Sequence, residues 1–183
     1  MNGMSPKVKS RKRNKSTLPA RVEKAAIQNT AMGWLLVVST ARGIRRVALA
    51  DTKPEVVEIL KSGYPECTLV LPEDMPPFAL KVSEWLEDST TSLALPLDIQ
   101  GTDFQKAVWR QLQSIPWGKT KTYSEVARLC GRPSAVRAVA SACGANPVAL
   151  IIPCHRVVGS NGKLCGFRWG LKRKEWLLKR EIP

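Results

Sequence analysis

The chain has one histidine, and it directly follows a cysteine in Pro153-Cys154-His155-Arg156-Val157. A thiol attacks as the thiolate, and a nearby imidazole promotes that form by taking the proton. The pair could therefore carry nucleophilic chemistry. The five apolar residues Val148–Ile152 predict a buried strand ending at Pro153. Adjacent strand residues point to opposite faces. For His155 to serve Cys154, either the chain turns here or the imidazole acts through a water. These residues alone also allow a bland reading, with Cys154 a small buried hydrophobe and His155 a structural hydrogen-bonding group. Cys67, Cys130, Cys143 and Cys165 form no C-x-x-C pair, and a lone histidine gives a tetrahedral zinc site little support. Thiols without a disulfide framework suit an intracellular protein.

The elements that must position this pair carry clear local signals. Thr102-x-x-Gln105 and Thr122-x-x-Glu125 are capping boxes. Behind the first, Phe104, Ala107, Val108, Leu112 and Ile115 form one helical stripe ending before Pro116. Behind the second, Val126, Ala127, Leu129 and Cys130 predict a short helix. Gly131-Arg132-Pro133-Ser134 predicts a turn, with Ser134 capping a third helix over Ala135–Cys143. Helix, tight turn, helix is the helix-turn-helix layout, although many helical hairpins share it. The third helix, AVRAVASAC, is nearly all small residues with one long cation, Arg137. A base-reading helix would present several polar side chains. This one suits either a buried core helix or close backbone approach to a partner with a single probe.

Upstream, Trp34–Ser39 and Ile44–Leu49 are short apolar runs around Thr40-Ala41-Arg42-Gly43, a hairpin pattern. Pro54 to Lys61 and the stretch from Pro76/Pro77 through Leu86 read as helices, and Leu93–Ile99 as extended chain interrupted by Pro96. The expected organisation is a basic, disordered tail over 1–24, a small α+β lobe over 25–97, and a mainly helical lobe over 98–183. Charge follows these divisions. They carry +7, −3 and +10 of a total of +14, so a polyanion such as DNA would meet the C-terminal part and the tail. Lys7 to Lys15 holds six basic residues in nine and reads as a solubilising or phosphate-attracting tail. No apolar run approaches the ~20 residues of a membrane-spanning helix, and no secretory signal follows the basic start.

Pro153-Cys154-His155-Arg156-Val157 resembles the active-site motif of the O6-alkylguanine–DNA alkyltransferase (methylated-DNA–protein-cysteine methyltransferase) family. GTDFQKAVWRQLQSIPWGKTKTYSEVA, RPSAVRAVASACGANP and IIPCHRVVGSNGKLCGFRWGLKRKEWLLKRE resemble consecutive family segments without gaps. The likeness is strong over about 98–181 and loose over 33–97. It implies a small ribonuclease-H-like α/β lobe followed by a mainly helical lobe with a helix-turn-helix and the active-site cysteine. It also implies stoichiometric, irreversible transfer of an alkyl group from O6-alkylguanine, and from O4-alkylthymine, in duplex DNA to Cys154. No cofactor or metal is implied, and the partner is double-stranded DNA met by a monomer. By the same resemblance, His155 deprotonates Cys154 through a water, and Glu181, in the terminal helix, partners His155. Asn146 links the DNA-binding helix to the active-site strand. Arg137 fills the stack vacated by the flipped base, Tyr123 presses on the phosphate and lines the pocket, and Val157 offers its carbonyl to the guanine amine. Ser134, Ala135, Ala138 and Arg168 join the DNA or substrate surface. Glu175 reads as a solvated acid, and Cys143 and Cys165 as packing residues near the pocket.

The sequence departs from the family at Phe167, where the family carries a tyrosine thought to hydrogen-bond the leaving oxygen. Phe167 can stack on a base but cannot donate a proton. Three rivals remain. A lesion sensor that transfers nothing would carry tryptophan at position 154. A repair–regulator fusion would need an additional Cys-rich metal module. A cysteine hydrolase would turn over repeatedly and need oxyanion donors.

Overall fold

The computed structural model describes residues 23–88 and 92–182; the basic segment Lys7 to Lys15 lies outside the described residues. The predicted hairpin forms as β2 (Gly33–Thr40) and β3 (Gly43–Ala50), antiparallel. A strand precedes it that the apolar pattern did not reveal: β1 (Lys24–Thr30) pairs antiparallel with β2 from Lys24 opposite Ser39 to Thr30 opposite Gly33. Lys24 therefore belongs to the sheet and not to the tail. After α1 (Lys53–Gly63), the two-residue β4 (Thr68–Leu69) adds in parallel to β1, giving the order β3-β2-β1-β4. α1 and α2 (Pro77–Glu87) pack on β1 to β3. Leu35 through Thr40 are all buried, so β2 is covered on both faces, as its unbroken apolar run requires.

The open edge of β3 is closed by two segments of distant sequence. Ile44 N–H donates to Pro96 O at 2.8 Å, and Asp98 N–H to Ile44 O at 2.9 Å. Gly43 is needed here, because a Cβ at that position would lie 2.5 Å from Pro96 O. Further along, Val47 N–H donates to Pro147 O at 3.0 Å, and Ala149 N–H to Val47 O at 3.3 Å. Pairing removes the hazard of an exposed edge, and it anchors the segment leading to Cys154 on the sheet.

α3 (Asp103–Gln113) and α4 (Tyr123–Leu129) begin at the two capping boxes. Thr102 Oγ1 accepts from Gln105 N–H and Thr122 Oγ1 from Glu125 N–H, both at 3.2 Å. The Gln105 and Glu125 side chains accept in return from the backbone N–H groups of Thr102 and Thr122. α4 has only seven residues, too short to persist alone. It packs against α3 and α5, where Val126, Val108, Leu112 and Val139 are all fully buried, and burial of each such side chain contributes roughly 1.5–3 kcal/mol. α3 also carries Trp109, whose indole donates to Ala142 O of α5 (Val136–Gly144) at 2.8 Å.

Three sequence expectations are corrected here. Ser134 does not cap α5: the turn closes with Ala135 N–H to Arg132 O, Ala135 takes the cap position without a side-chain bond, and the helix starts at Val136. Val148–Ile152 is buried but is not a strand. Only Val148 bridges to β3, after which the chain turns through Leu150 at φ 73° with Ile152 N–H on Val148 O. The cause is Asn146, whose side chain takes the Val148 N–H and the Ile152 carbonyl that a sheet neighbour would have used. Lastly, Glu181 lies just beyond α6 (Leu171–Arg180), as its C-cap.

Candidate active site

Cys154, His155 and Arg156 form a single 3₁₀ turn after Pro153, and Val157–Val158 continues as β6. β6 pairs in parallel with β5 (Lys121–Thr122), matching Lys121 to Val157 and Thr122 to Val158. This two-residue ladder holds the start of α4, with Tyr123, beside the cysteine turn. The chain therefore turns at Cys154, so strand alternation does not separate it from His155.

Cys154 is 6% exposed. Asn146 Nδ2 donates to its Sγ at 3.3 Å and to Ile152 O at 2.8 Å. Burial raises the Cys154 thiol pKa, while the Asn146 hydrogen bond and the Lys174 charge pull it back. Sγ borders a cavity of about 320 Å³, at the small end of ligand pockets. Tyr123 from α4, Ala140, Cys143 and Gly144 from α5, and Gly166, Phe167 and Arg168 from the following loop complete the lining. The Tyr123 hydroxyl lies 3.3 Å from Cys165 O, and burial raises its pKa, so it stays a phenol. Cys143 is likewise pushed up to about 12 by burial.

Behind the turn is a buried ionic knot. His155 Nε2 meets Glu181 Oε1 at 2.8 Å. Arg156 Nε donates to Glu181 Oε2 at 2.8 Å and its Nη2 to Oε1 at 3.0 Å. Gly118 N–H donates to Glu181 Oε2 at 3.2 Å, and a Cβ at Gly118 would meet Glu181 O at 2.7 Å. Burial alone would raise the Glu181 pKa, but the His155 and Arg156 hydrogen bonds outweigh it and hold Glu181 ionised. Burial lowers the His155 pKa despite the carboxylate, so the resting ring is neutral. A neutral ring that donates from Nε2 keeps its lone pair on Nδ1. Nδ1 is buried and makes no hydrogen bond to the described residues.

Sequence reasoning missed Lys174. It is fully buried, and its Nζ donates to Val157 O at 2.6 Å, Cys165 O at 2.7 Å and Gly166 O at 3.3 Å. One ammonium thus ties β6 to the loop carrying Phe167, and it already occupies the carbonyl of Val157. The available signal was helical phase: Lys174 lies three residues before Leu177, on the buried face of α6. Ser134, Arg137 and Ala138 are exposed and Ala135 is half-buried, and none of the four lines the cavity. They lie at the start of α5, while Ala140, Cys143 and Gly144 of the same helix line the cavity. Arg168 is exposed and reaches Gly144 O at 3.4 Å. Glu175 is exposed and pairs with Lys179.

The model of the 6-O-methylguanine DNA methyltransferase DNA-binding domain family matches residues 103–182, which include every residue of this cavity and knot. The inducible methylated-DNA–protein-cysteine methyltransferase of Bacillus subtilis is 41% identical over 148 residues, 79% of this chain and 82% of that protein. The chain belongs to the methylated-DNA–protein-cysteine methyltransferase family. A relative outside the single-function members is the bifunctional transcriptional activator/DNA repair enzyme Ada of Escherichia coli, 44% identical over 158 residues. The match covers 85% of this chain but 44% of Ada, so the chain spans less than half of that relative. Among solved family structures, Mycobacterium tuberculosis OGT in complex with DNA superposes with a TM-score of 0.73 at 31% identity, over 86% of this chain and 92% of that one.

Proposed function

We propose that this protein repairs DNA by moving the alkyl group of O6-alkylguanine onto Cys154 Sγ, once per molecule. The observation that carries this reading is the Cys154 thiol, held by Asn146 at the wall of a nucleobase-sized cavity and backed by a neutral His155 whose Nε2 is engaged by Glu181. The target base lies inside the duplex and must be flipped out, at a cost of about a few kcal/mol. In this reading residues 98–183 meet DNA while 25–97 support them. α4 and α5 act as a helix-turn-helix laid in the minor groove, where the base code is degenerate. Ser134, Ala135 and Ala138 allow close approach, and Arg137, exposed on α5, fills the gap left by the flipped base.

The chemistry balances without a further reactant. The Cys154 proton passes through a water to His155 Nδ1, and Glu181 stabilises the imidazolium that forms. Sγ attacks the alkyl carbon, a carbon–sulfur bond forms, and the bond from carbon to the guanine oxygen breaks. The leaving guanine takes back a proton. Tyr123 is the phenol at the cavity and stands as its donor, since Phe167 has no hydroxyl, and the proton left on His155 passes through water to Tyr123, so both groups end neutral. The thioether product has no group that water readily displaces, so the thiol is not regenerated.

Incubation with duplex bearing O6-methylguanine, followed by peptide mass analysis, tests this. One methyl on the Cys154 peptide, with repair stoichiometric in protein, is the expected result. Unmodified protein that binds the lesion tightly would indicate a sensor, and repeated turnover on an ester would indicate a hydrolase. Either would overturn the proposal.

A further inference from the structure

A second cavity, of about 420 Å³, lies between β3, the end of α1 and the loop after Phe167. Its lining includes Arg45, Arg46, Arg168, Tyr64, Ser62 and Gln100. Arg168 also lines the Cys154 cavity, so the two spaces share one side chain. The charges are unbalanced. Arg45 pairs with Glu23 at 2.9 Å and reaches Asp98 at 3.8 Å. Arg46 and Arg168 meet no carboxylate among the described residues, although their guanidinium groups lie 5.7 and 5.2 Å from the same Trp169 ring. Arg46 Nε is buried without a hydrogen-bond partner among the described residues, while Arg45 Nη1 faces Asp98 at 3.8 Å. Desolvation and the Arg168 charge both lower the Arg46 pKa. Unpaired buried donors and like charges held side by side are costly. An anion with several acceptor oxygens would relieve both, and planar guanidinium donors match phosphate geometry.

We infer that this cavity binds a backbone phosphate of the damaged strand, next to the nucleotide whose base enters the Cys154 cavity. The inference rests on the proposed function. The shared Arg168 is what selects DNA over a free anion: a strand delivering a base on one side of that residue places its neighbouring phosphate on the other. The N-terminal half then does more than support the active site, because Arg45 and Arg46 of β3 become part of the DNA footprint.

The test is equilibrium binding of a methylguanine duplex by Cys154→Ala protein across a salt series. Arg46→Gln, Arg46→Lys and the charge-matched control Lys81→Gln are made in that background; Lys81 is exposed on α2. Loss of one phosphate contact flattens the slope of log affinity against log salt by roughly 1. Arg46→Gln is expected to flatten it by that amount and to bind about tenfold more weakly near 0.15 M salt. Arg46→Lys should retain most of the slope, and Lys81→Gln should match the parent. Identical slopes for Arg46→Gln and Lys81→Gln would overturn the inference. So would inorganic phosphate binding that Arg46→Gln abolishes while the duplex slope stays unchanged, which would make this a free-anion site. The protein with Cys154 intact is tested in parallel for reaction with free O6-alkylguanine base. Its failure there would fault the proposed function and leave the phosphate readout to stand alone.

Discussion

Replacing Glu181 by glutamine tests the ionic knot behind Cys154, and its consequences divide into stability and rate. The carboxylate accepts from His155, from two nitrogens of Arg156 and from Gly118, and it is 2% exposed. Glutamine keeps the volume but leaves Arg156, itself 2% exposed, as an uncompensated buried cation. Removing one partner of a buried pair costs about 3–5 kcal/mol, a large share of the ~5–15 kcal/mol total of a typical domain. The rate should fall separately, by on the order of 10²–10⁴-fold, because the ring loses its enforced tautomer and the imidazolium its counter-charge. Urea denaturation reads the first effect, and single-turnover transfer from a methylguanine duplex reads the second. The double variant Glu181→Gln/Arg156→Met removes the stranded charge. It also abandons Ile115 O, an acceptor of Arg156 Nη1 at 2.6 Å, at about 1–3 kcal/mol. The two substitutions should therefore be non-additive in stability by roughly 2 kcal/mol or more, while the rate stays low. A single variant within about 1 kcal/mol of the parent would refute the charge argument. A double variant that regained full rate would refute the role of Glu181 at His155.

The transfer rate should be level from below about pH 6.5 to above about pH 8.5, the ordinary values for imidazole and thiol, because burial lowers His155 and raises Cys154; a sigmoid centred near the free-thiol value would contradict the coupled pair. Acid should weaken the fold in two stages. Below the ordinary imidazole value the unfolded chain takes a proton that buried His155 resists, and below about 4.5 the contribution of ionised Glu181 is lost as pH falls through its lowered value; a urea midpoint unchanged between pH 7 and pH 4 would rule this out. Arg137→Ala should slow repair in duplex at least tenfold more than reaction with free base, scaled to a flipping cost of about a few kcal/mol, and equal losses in the two assays would remove its gap-filling role. Phe167→Tyr should leave transfer equal or faster, and a sharp loss would show that the cavity has no room for the hydroxyl. Lys174→Met should destabilise by about 2–4 kcal/mol, since three carbonyls lose their donor; unfolding within about 0.5 kcal/mol of the parent would show those contacts to be idle.

What the chain states locally is what local physics controls. Capping boxes at Thr102 and Thr122 act within one helical turn, the hairpin around Thr40–Gly43 closes over a few residues, and the apolar stripe of α3 follows the helical period, so each was legible. Cys154 beside the only histidine was legible as possible chemistry, and the motifs around it as a family resemblance. Other features depend on contacts that no local residue pattern announces, whether their partners are near or far in sequence. β1 carries few large apolar residues and is a strand because β2 and β4 supply its partners. Val148–Ile152 has strand composition, yet Asn146 takes its backbone groups and bends it, which turns Cys154 into its cavity. Lys174 stands among basic residues, and only packing shows that one of them is buried on three carbonyls. Glu181 and Glu175 are equivalent by composition; the first is folded inward onto His155 and Arg156, and the second pairs with Lys179 in solvent. The sequence by itself determined the reacting groups and the helices α3 to α5 that pack around them. The tertiary structure alone decided which carboxylate, amide and ammonium stand against them, because those interactions form only once the turns between them are folded and buried, from Asn146 onto Cys154 to Glu181 onto His155.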